Sequence, residues 1–335
     1  MFFVTAGGLR IDYLIAHDAR AYTGLVGGNA LYAAVGAAIW GGEVGLWARV
    51  GQNYPQDWLK ELGQHGLAID GLVRVEDDQD HRTFYAYTPN GRRDDTNPQA
   101  HFARIGRLLP TALHDYVHST PGQDDPHHYE PLALRPADWP RRYDGAMANG
   151  FVAVHLSPLA LSTHLHVPAT LRQRGAGQIT VDPGERYMVP GRLAYVRQML
   201  PQIDAFLPSE QELYSLFGAA ADLEEAAATL CRWGVPLVVV KLGANGVLLQ
   251  MGADGDCFHL PAYHPPGDPR VVDVTGAGDA FCGGFMVGLA QTADPLQAAQ
   301  MGLVSASLVI EGYGALYGLT RMREAGGRLH GLIAL

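Results

Sequence analysis

From residue 144 onward the sequence alternates short, β-branched apolar runs with stretches of helical spacing, and that alternation leaves the chain few folds to choose from. The runs at 151–156, 178–182, 205–208 and 237–242 are apolar on both faces, as strands are in a parallel sheet covered by helices on both sides. The N-terminal part keeps the same rhythm. A run at 2–6 is broken by Gly7-Gly8, a small-residue helix at 29–39 is entered through Gly27-Gly28, and a strand at 44–50 follows Gly41-Gly42. A helix at 58–65 and a run at 67–72 come next. Sheets of this kind bind ligands beyond the carboxyl ends of their strands. His155, Ser157, Asp182, Arg186, Ser209, Glu212, Lys241 and Gly243 all fall there.

One stretch carries the chemistry. Asp273-Val274-Thr275-Gly276-Ala277-Gly278-Asp279 stands directly ahead of the apolar, helically spaced run Ala280-Phe281-Cys282-Gly283-Gly284-Phe285. Two glycines flanking an alanine make a tight turn whose free N–H groups open into a helix, an arrangement suited to a phosphate or a developing oxyanion. Asp279 falls in the first helical turn, where a carboxylate competes with a bound anion for the dipole. General-base work beside a phosphate gives that placement a reason; the blander account is an N-capping acid.

Composition narrows the setting. The 335 residues carry 34 acidic and 24 basic side chains, a net charge of −10, with no basic stripe, so nucleic acid is not an expected partner. Cys231, Cys257 and Cys282 are too few and too scattered for a disulfide framework. No run reaches the roughly 18 apolar residues of a membrane helix, and Gly7-Gly8 interrupts the apolar start too early for a signal peptide, so a cytoplasmic protein without a membrane partner is expected. Neither a Walker-type Gly-x-x-x-x-Gly-Lys-Ser/Thr nor a Gly-x-Gly-x-x-Gly is present.

At its full length the 273–285 stretch resembles the C-terminal signature of the ribokinase, or phosphofructokinase-B, family of carbohydrate and nucleoside kinases. The resemblance implies a ribokinase-like α/β three-layer sandwich, mostly parallel, formed by one domain over 1–335. It also implies a small β lid from strands within about 12–26 and 71–93, closed over the substrate. Asp279 would be the catalytic base, and the amides of Gly276, Ala277 and Gly278 the anion hole. Asp12, Gly27, Gly28, Asn29 and Tyr32 would touch the substrate, a small alcohol such as a sugar or nucleoside. Lys241, Gly243, Gly246 and Thr275 would meet ATP, and Glu212 would reach Mg²⁺ through water. Asp273 would share a monovalent cation such as K⁺, and a homodimer would form through the lid.

Two positions depart from the family pattern. Tyr32 stands where sugar kinases of this pattern have Asn, and Ser209 where the Asn of Asn-x-x-Glu is expected. Ser209 with Glu212 also spells a capping box. The lid segments 73–75 and 83–87 are joined by acidic polar residues and followed by the turn Pro89-Asn90-Gly91, and Arg82 and Tyr85 could reach a ligand from them. Residues 94–142, with His114, His118, His127 and His128 and weak periodicity, read as an inserted polar loop, a pocket cap, a subunit contact or a metal site. Three functions stay open: a sugar kinase, a kinase of nucleosides or pyrimidine alcohols, and a non-catalytic binder of nucleotide or sugar phosphate.

Overall fold

A computed structural model describes residues 1–87, 93–118 and 122–333; the expected turn at 89–91 lies outside them. Among the described residues thirteen strands form two sheets. In chain order they are β1 (Phe2–Ala6), β2 (Arg10–Ile15), β3 (Ala21–Gly27), β4 (Glu43–Val50), β5 (Leu67–Arg74), β6 (Arg82–Tyr87) and β7 (Arg93–Asp94). There follow β8 (Val152–Leu156), β9 (Gln178–Val181), β10 (Ala205–Phe206), β11 (Leu237–Lys241), β12 (Val247–Met251) and β13 (Cys257–Leu260).

The large sheet runs β13-β12-β11-β10-β9-β8-β1-β4-β5, and every pairing from β11 to β5 is parallel. β1, between β8 and β4, is the point where strand order reverses, so a crevice opens beyond its carboxyl end. β8 is buried at every position, as a strand covered on both faces must be. Separate apolar clusters fill the two faces, one built around Val154, Ile179 and Phe206 and the other around Phe3, Leu46 and Val304.

Helix Asn29–Ala38 lies against helix Ala277–Thr292 so closely that backbone meets backbone. A Cβ on Gly36 would sit 2.0 Å from the Ala280 carbonyl oxygen, and one on Gly283 1.9 Å from that of Ala33. Helix Pro295–Val309 packs on the far side, where Ser305 Oγ donates to the Gly36 carbonyl at 2.9 Å and accepts from Trp40 Nε1 at 2.8 Å.

The small sheet, β3-β2-β6-β7, is mixed: β2 and β6 are parallel, the outer pairs antiparallel. Its period-2 alternation sends Asp12, Thr83, Tyr85 and Tyr87 to one face and Tyr13, Ile15, Phe84 and Ala86 to the other. Phe102, Leu113 and Tyr116 cover that second face.

Three sequence expectations change here. Residues 73–75 belong to or follow β5 of the large sheet, because parallel pairing with β4 continues through Val50 and Arg74. The lid extends to Asp94, one residue into the supposed insertion. The 94–142 stretch is no free polar loop. Helix Pro98–Arg104 and the following turn cover the lid, while Leu134 and Trp139 join the core of the large sheet.

Candidate active site

The turn at 273–277 is fastened before the helix begins. Asp273 Oδ1 accepts from the Thr275 amide at 3.0 Å and from Thr275 Oγ1 at 2.8 Å, and the Ala277 amide closes on the Val274 carbonyl at 3.2 Å. Gly276 sits at φ +74°, and a Cβ there would lie 2.0 Å from the Tyr32 ring, so only glycine fits both the conformation and the space. The amides of Gly276, Gly278 and Asp279 have no acceptor among the described residues, whereas that of Ala277 is engaged in the turn. Two of the three expected anion-hole donors are therefore free, and the Asp279 amide joins them. They crown the positive end of a 16-residue helix.

Asp279 is half-buried beside those amides. Burial pushes its carboxyl up to about 7, helped by the charges of Asp12 and Glu212 and opposed by Lys241 and Arg93. A carboxyl poised near neutrality can both take and release a proton at working pH.

Lys241 ends β11, and its ammonium forms an ion pair with the buried carboxylate of Asp182. It also lies beside the first turn of the helix, 3.7 Å from where a Cβ on Gly278 would stand. Burial opposes its charge, but the negative groups around it, Asp182 foremost, raise its pKa, so it stays an ammonium. Asp182 is pushed up to about 6, chiefly by burial, and its Oδ1 has no hydrogen-bond partner. Glu212 caps its own helix: the Ser209 amide donates to Glu212 Oε2 at 2.6 Å, and the Glu212 amide donates to Ser209 Oγ at 3.3 Å. It too is raised to about 7, by burial and by Asp182. The capping-box account of Ser209 is thus realised, and it leaves Glu212 Oε1 uncommitted.

The lid supplies the opposite wall. Asp12 is 4% exposed, raised to about 7 by burial, and its Oδ1 lacks a partner. Thr83, opposite it in register, leaves Oγ1 unpartnered as well. A Cβ on Gly27 would fall 1.8 Å from Asp12 Oδ2, which explains a glycine there without any ligand. Asn29 is spent on structure, since Oδ1 accepts from the Gly8 amide and Nδ2 donates to the Pro158 carbonyl, both at 2.7 Å. Gly28, at φ +101°, caps the helix that carries Tyr32. Tyr32 is buried against the Gly276 turn, among Asp12, Asp273, Tyr85 and Tyr87. Tyr87 bonds Thr275 Oγ1 at 3.0 Å and stacks on His17, tying lid to turn.

Gly243 and Gly246 flank a tight turn after Lys241, both with positive φ, and Gly246 passes so close to β13 that a Cβ would meet the Leu260 carbonyl at 2.0 Å. Asp273 is 2% exposed and committed to Thr275 through one oxygen. The four insertion histidines form no ligand cluster among the described residues.

Two residues, Thr83 and Arg93, and the partner of a third, Asp182, escaped the sequence reading. Thr83 is legible only once its alternation with Tyr85 and Tyr87 is tied to a register with Asp12. Asp182 was placed at a strand end, but nothing local says that it pairs with Lys241, 59 residues on. Arg93 reads as half of an isolated Arg-Arg pair; on β7 its guanidinium lies 5.1 Å over the Tyr85 ring.

Residues 178–321, which include β9 to β13 and the helix Ala277–Thr292, match the pfkB family of carbohydrate kinases. Over those residues the chain is similar to that family. A cytidine kinase of Thermococcus kodakarensis is 28% identical over 313 residues, 93% of this chain and 96% of its own. A fructokinase of Escherichia coli is 26% identical over 301 residues, 85% of this chain and 83% of its own. In fold, the chain resembles aminoimidazole riboside kinase from Salmonella enterica, solved with aminoimidazole riboside and an ATP analogue. That match has a TM-score of 0.68 at 20% identity and covers 98% of this chain and 100% of the other. The chain is accordingly a kinase with a ribokinase-type fold.

Proposed function

We propose that this kinase transfers the γ-phosphate of ATP to a hydroxyl of a nucleoside, held between Asp12 and Thr83 on one side and Asp279 on the other. The observation that carries the reading is the placement of Asp279: a carboxyl at about 7, in the first turn of a helix whose terminal amides lack acceptors. Asp279 would take the proton of the substrate alcohol as its oxygen attacks. The Gly276 and Gly278 amides and the Lys241 ammonium would hold the negative charge that the transferring group spreads over its oxygens, the main source of acceleration in such reactions. Asp12 and Thr83, each with an orphaned buried oxygen, suit sugar hydroxyls, since leaving such atoms unpaired is costly.

Magnesium fits the chain's donor set. Asp182 Oδ1 is unpartnered, Glu212 is raised, and hard oxygen ligands with much retained water are what the ion prefers. When bound with nucleotide it would neutralise phosphate charge. Gly243 and Gly246 would let backbone approach the nucleotide, and Thr275, already fixed by Asp273, would sit at the phosphate end. Asp273 keeps Oδ2 for a monovalent cation such as K⁺.

A nucleoside is favoured over a free sugar by two observations. Tyr32 replaces a small amide with a ring, beside Tyr85 and Tyr87. The cytidine kinase, moreover, aligns over more of the chain than the fructokinase does. The test is ATP consumption against nucleosides, sugars, sugar phosphates and polyols, with Mg²⁺ and K⁺, wild type beside Asp279→Asn. The expected result is nucleoside-dependent turnover that falls roughly 10²- to 10⁴-fold in the variant while ATP still binds. Turnover on sugars alone would transfer the assignment to a sugar kinase. Nucleotide binding without turnover on any acceptor would make the chain a sensor.

A further inference from the structure

The helix Leu223–Arg232 and the edge strand β13 bring three different ligand types together at the rim of the large sheet. Cys257 and His259 are two residues apart on β13, so both side chains project from the same face. Glu224 is in the first turn of the helix, and its backbone is pinned because Asp222 Oδ1 accepts from the Glu224 amide at 2.9 Å. One ligand atom from each of Glu224, Cys257 and His259 lies within 4.8 Å of the other two, and His259 Nε2 is 3.0 Å from Glu224 Oε1.

We propose that Glu224, Cys257 and His259 form a site for a zinc-type divalent ion, with water completing the tetrahedron. A mixed set of thiolate, imidazole and carboxylate suits Zn²⁺ and discriminates against Mg²⁺ and Ca²⁺, which want oxygen alone. Bonds of about 2.0 to 2.3 Å place tetrahedral ligands about 3.3 to 3.8 Å apart, so the present spacing closes with small side-chain movements. The Glu224 and His259 side chains are 60% and 59% exposed, which leaves the ion a path in from solvent and little competing stabilisation, because an exposed ion pair contributes little. An adjoining cleft of about 410 Å³ is lined by Asp222, Glu225 and Asp254 and adds negative potential. The ion would fasten the helix to the last strand of the large sheet and blunt an exposed edge. Thiol deprotonation makes binding strengthen as pH rises.

The test uses the full-length chain stripped with EDTA and titrated with Co²⁺, followed by visible absorption and the thiolate charge-transfer band, then with Zn²⁺ by calorimetry and thermal melting. One Co²⁺ per chain with a thiolate band is expected, along with a Zn²⁺-dependent rise in Tm. Cys257→Ser and His259→Gln should each weaken binding by at least about 10-fold, with phosphoryl transfer under Mg²⁺ unchanged. That unchanged activity also shows that the variants fold. Co²⁺ bound without the thiolate band, or Zn²⁺ affinity equal in wild type and both variants, would mean adventitious surface ions and overturn the site. Neither result touches the kinase reading, since no residue here belongs to it.

Discussion

Asp12, Asp182, Glu212 and Asp279 are all held above the usual carboxylate range, three of them at about 7 and Asp182 at about 6, with burial the first cause in each. The proposed base, Asp279, must be ionised to work, so turnover should climb with pH and level off above about 7 in a kcat profile. Stability should move the other way. A carboxyl whose folded pKa is raised binds more protons folded than unfolded, so between about 4 and 7 the unliganded protein loses stability as pH rises. Asp279→Asn removes one such group. The variant should therefore melt higher than wild type at pH 8, with the difference shrinking toward pH 5. An equal shift at both pH values would mean that Asp279 is already paired in the free protein. This opposition between stability and activity is expected where charges are gathered for a ligand that brings the opposite charge.

The helix Ala277–Thr292 is positioned by close helix contact rather than by side-chain interlock. Gly36→Ala would force a methyl against the Ala280 carbonyl, one residue from Asp279, with only backbone to give way. Overpacking of this kind costs about 1 to 3 kcal/mol, and turnover should fall well beyond any loss of substrate binding. Separate kcat and KM measurements, with a melt, read this out. Gly276→Ala should fare worse, meeting both the Tyr32 ring and a left-handed φ; adding Tyr32→Ala should recover the steric part but not the backbone strain, about 1 kcal/mol or more. This element was legible in the sequence because its information is local: turn, glycines, acid and apolar run stand consecutively. The parallel strands were legible too, as apolar runs between helices. The β12–β13 hairpin that closes the sheet antiparallel was not drawn from the sequence, since Gly252 to Asp256 mark a turn without saying which edge receives it. The lid-covering helix was hidden because Phe102, Leu113 and Tyr116 are spaced for a short helix and a turn, not for any one period.

At the scale of the whole molecule, the kinase is a lid closed on a crevice, and its two sides meet through few bonds. Tyr87 Oη reaches Thr275 Oγ1 at 3.0 Å, Tyr22 stacks on Tyr313 at 4.2 Å, and Tyr313 donates to Asp18 at 3.0 Å. The lid's outer face is already covered by Phe102, Leu113 and Tyr116, so an apolar surface that two copies could have buried between them is satisfied within one chain. We therefore expect a monomer in sedimentation at micromolar concentration, in place of the lid dimer that resemblance implied; a stable dimer would have to use a strand edge. Contacts this sparse suit a lid that must open each turnover, and they locate what keeps water out. Water competes with the substrate alcohol for the phosphoryl group whenever the crevice is open near the anion hole. Tyr87→Phe deletes the hydroxyl that, among the described residues, joins a lid strand to the turn at Thr275, while keeping the ring on His17. ADP formed per phosphorylated product should then rise severalfold above one, with acceptor KM raised and ATP binding little changed. Tight coupling retained in Tyr87→Phe would place the seal elsewhere, at the Tyr22–Tyr313 stack, where Tyr313→Ala is the corresponding probe.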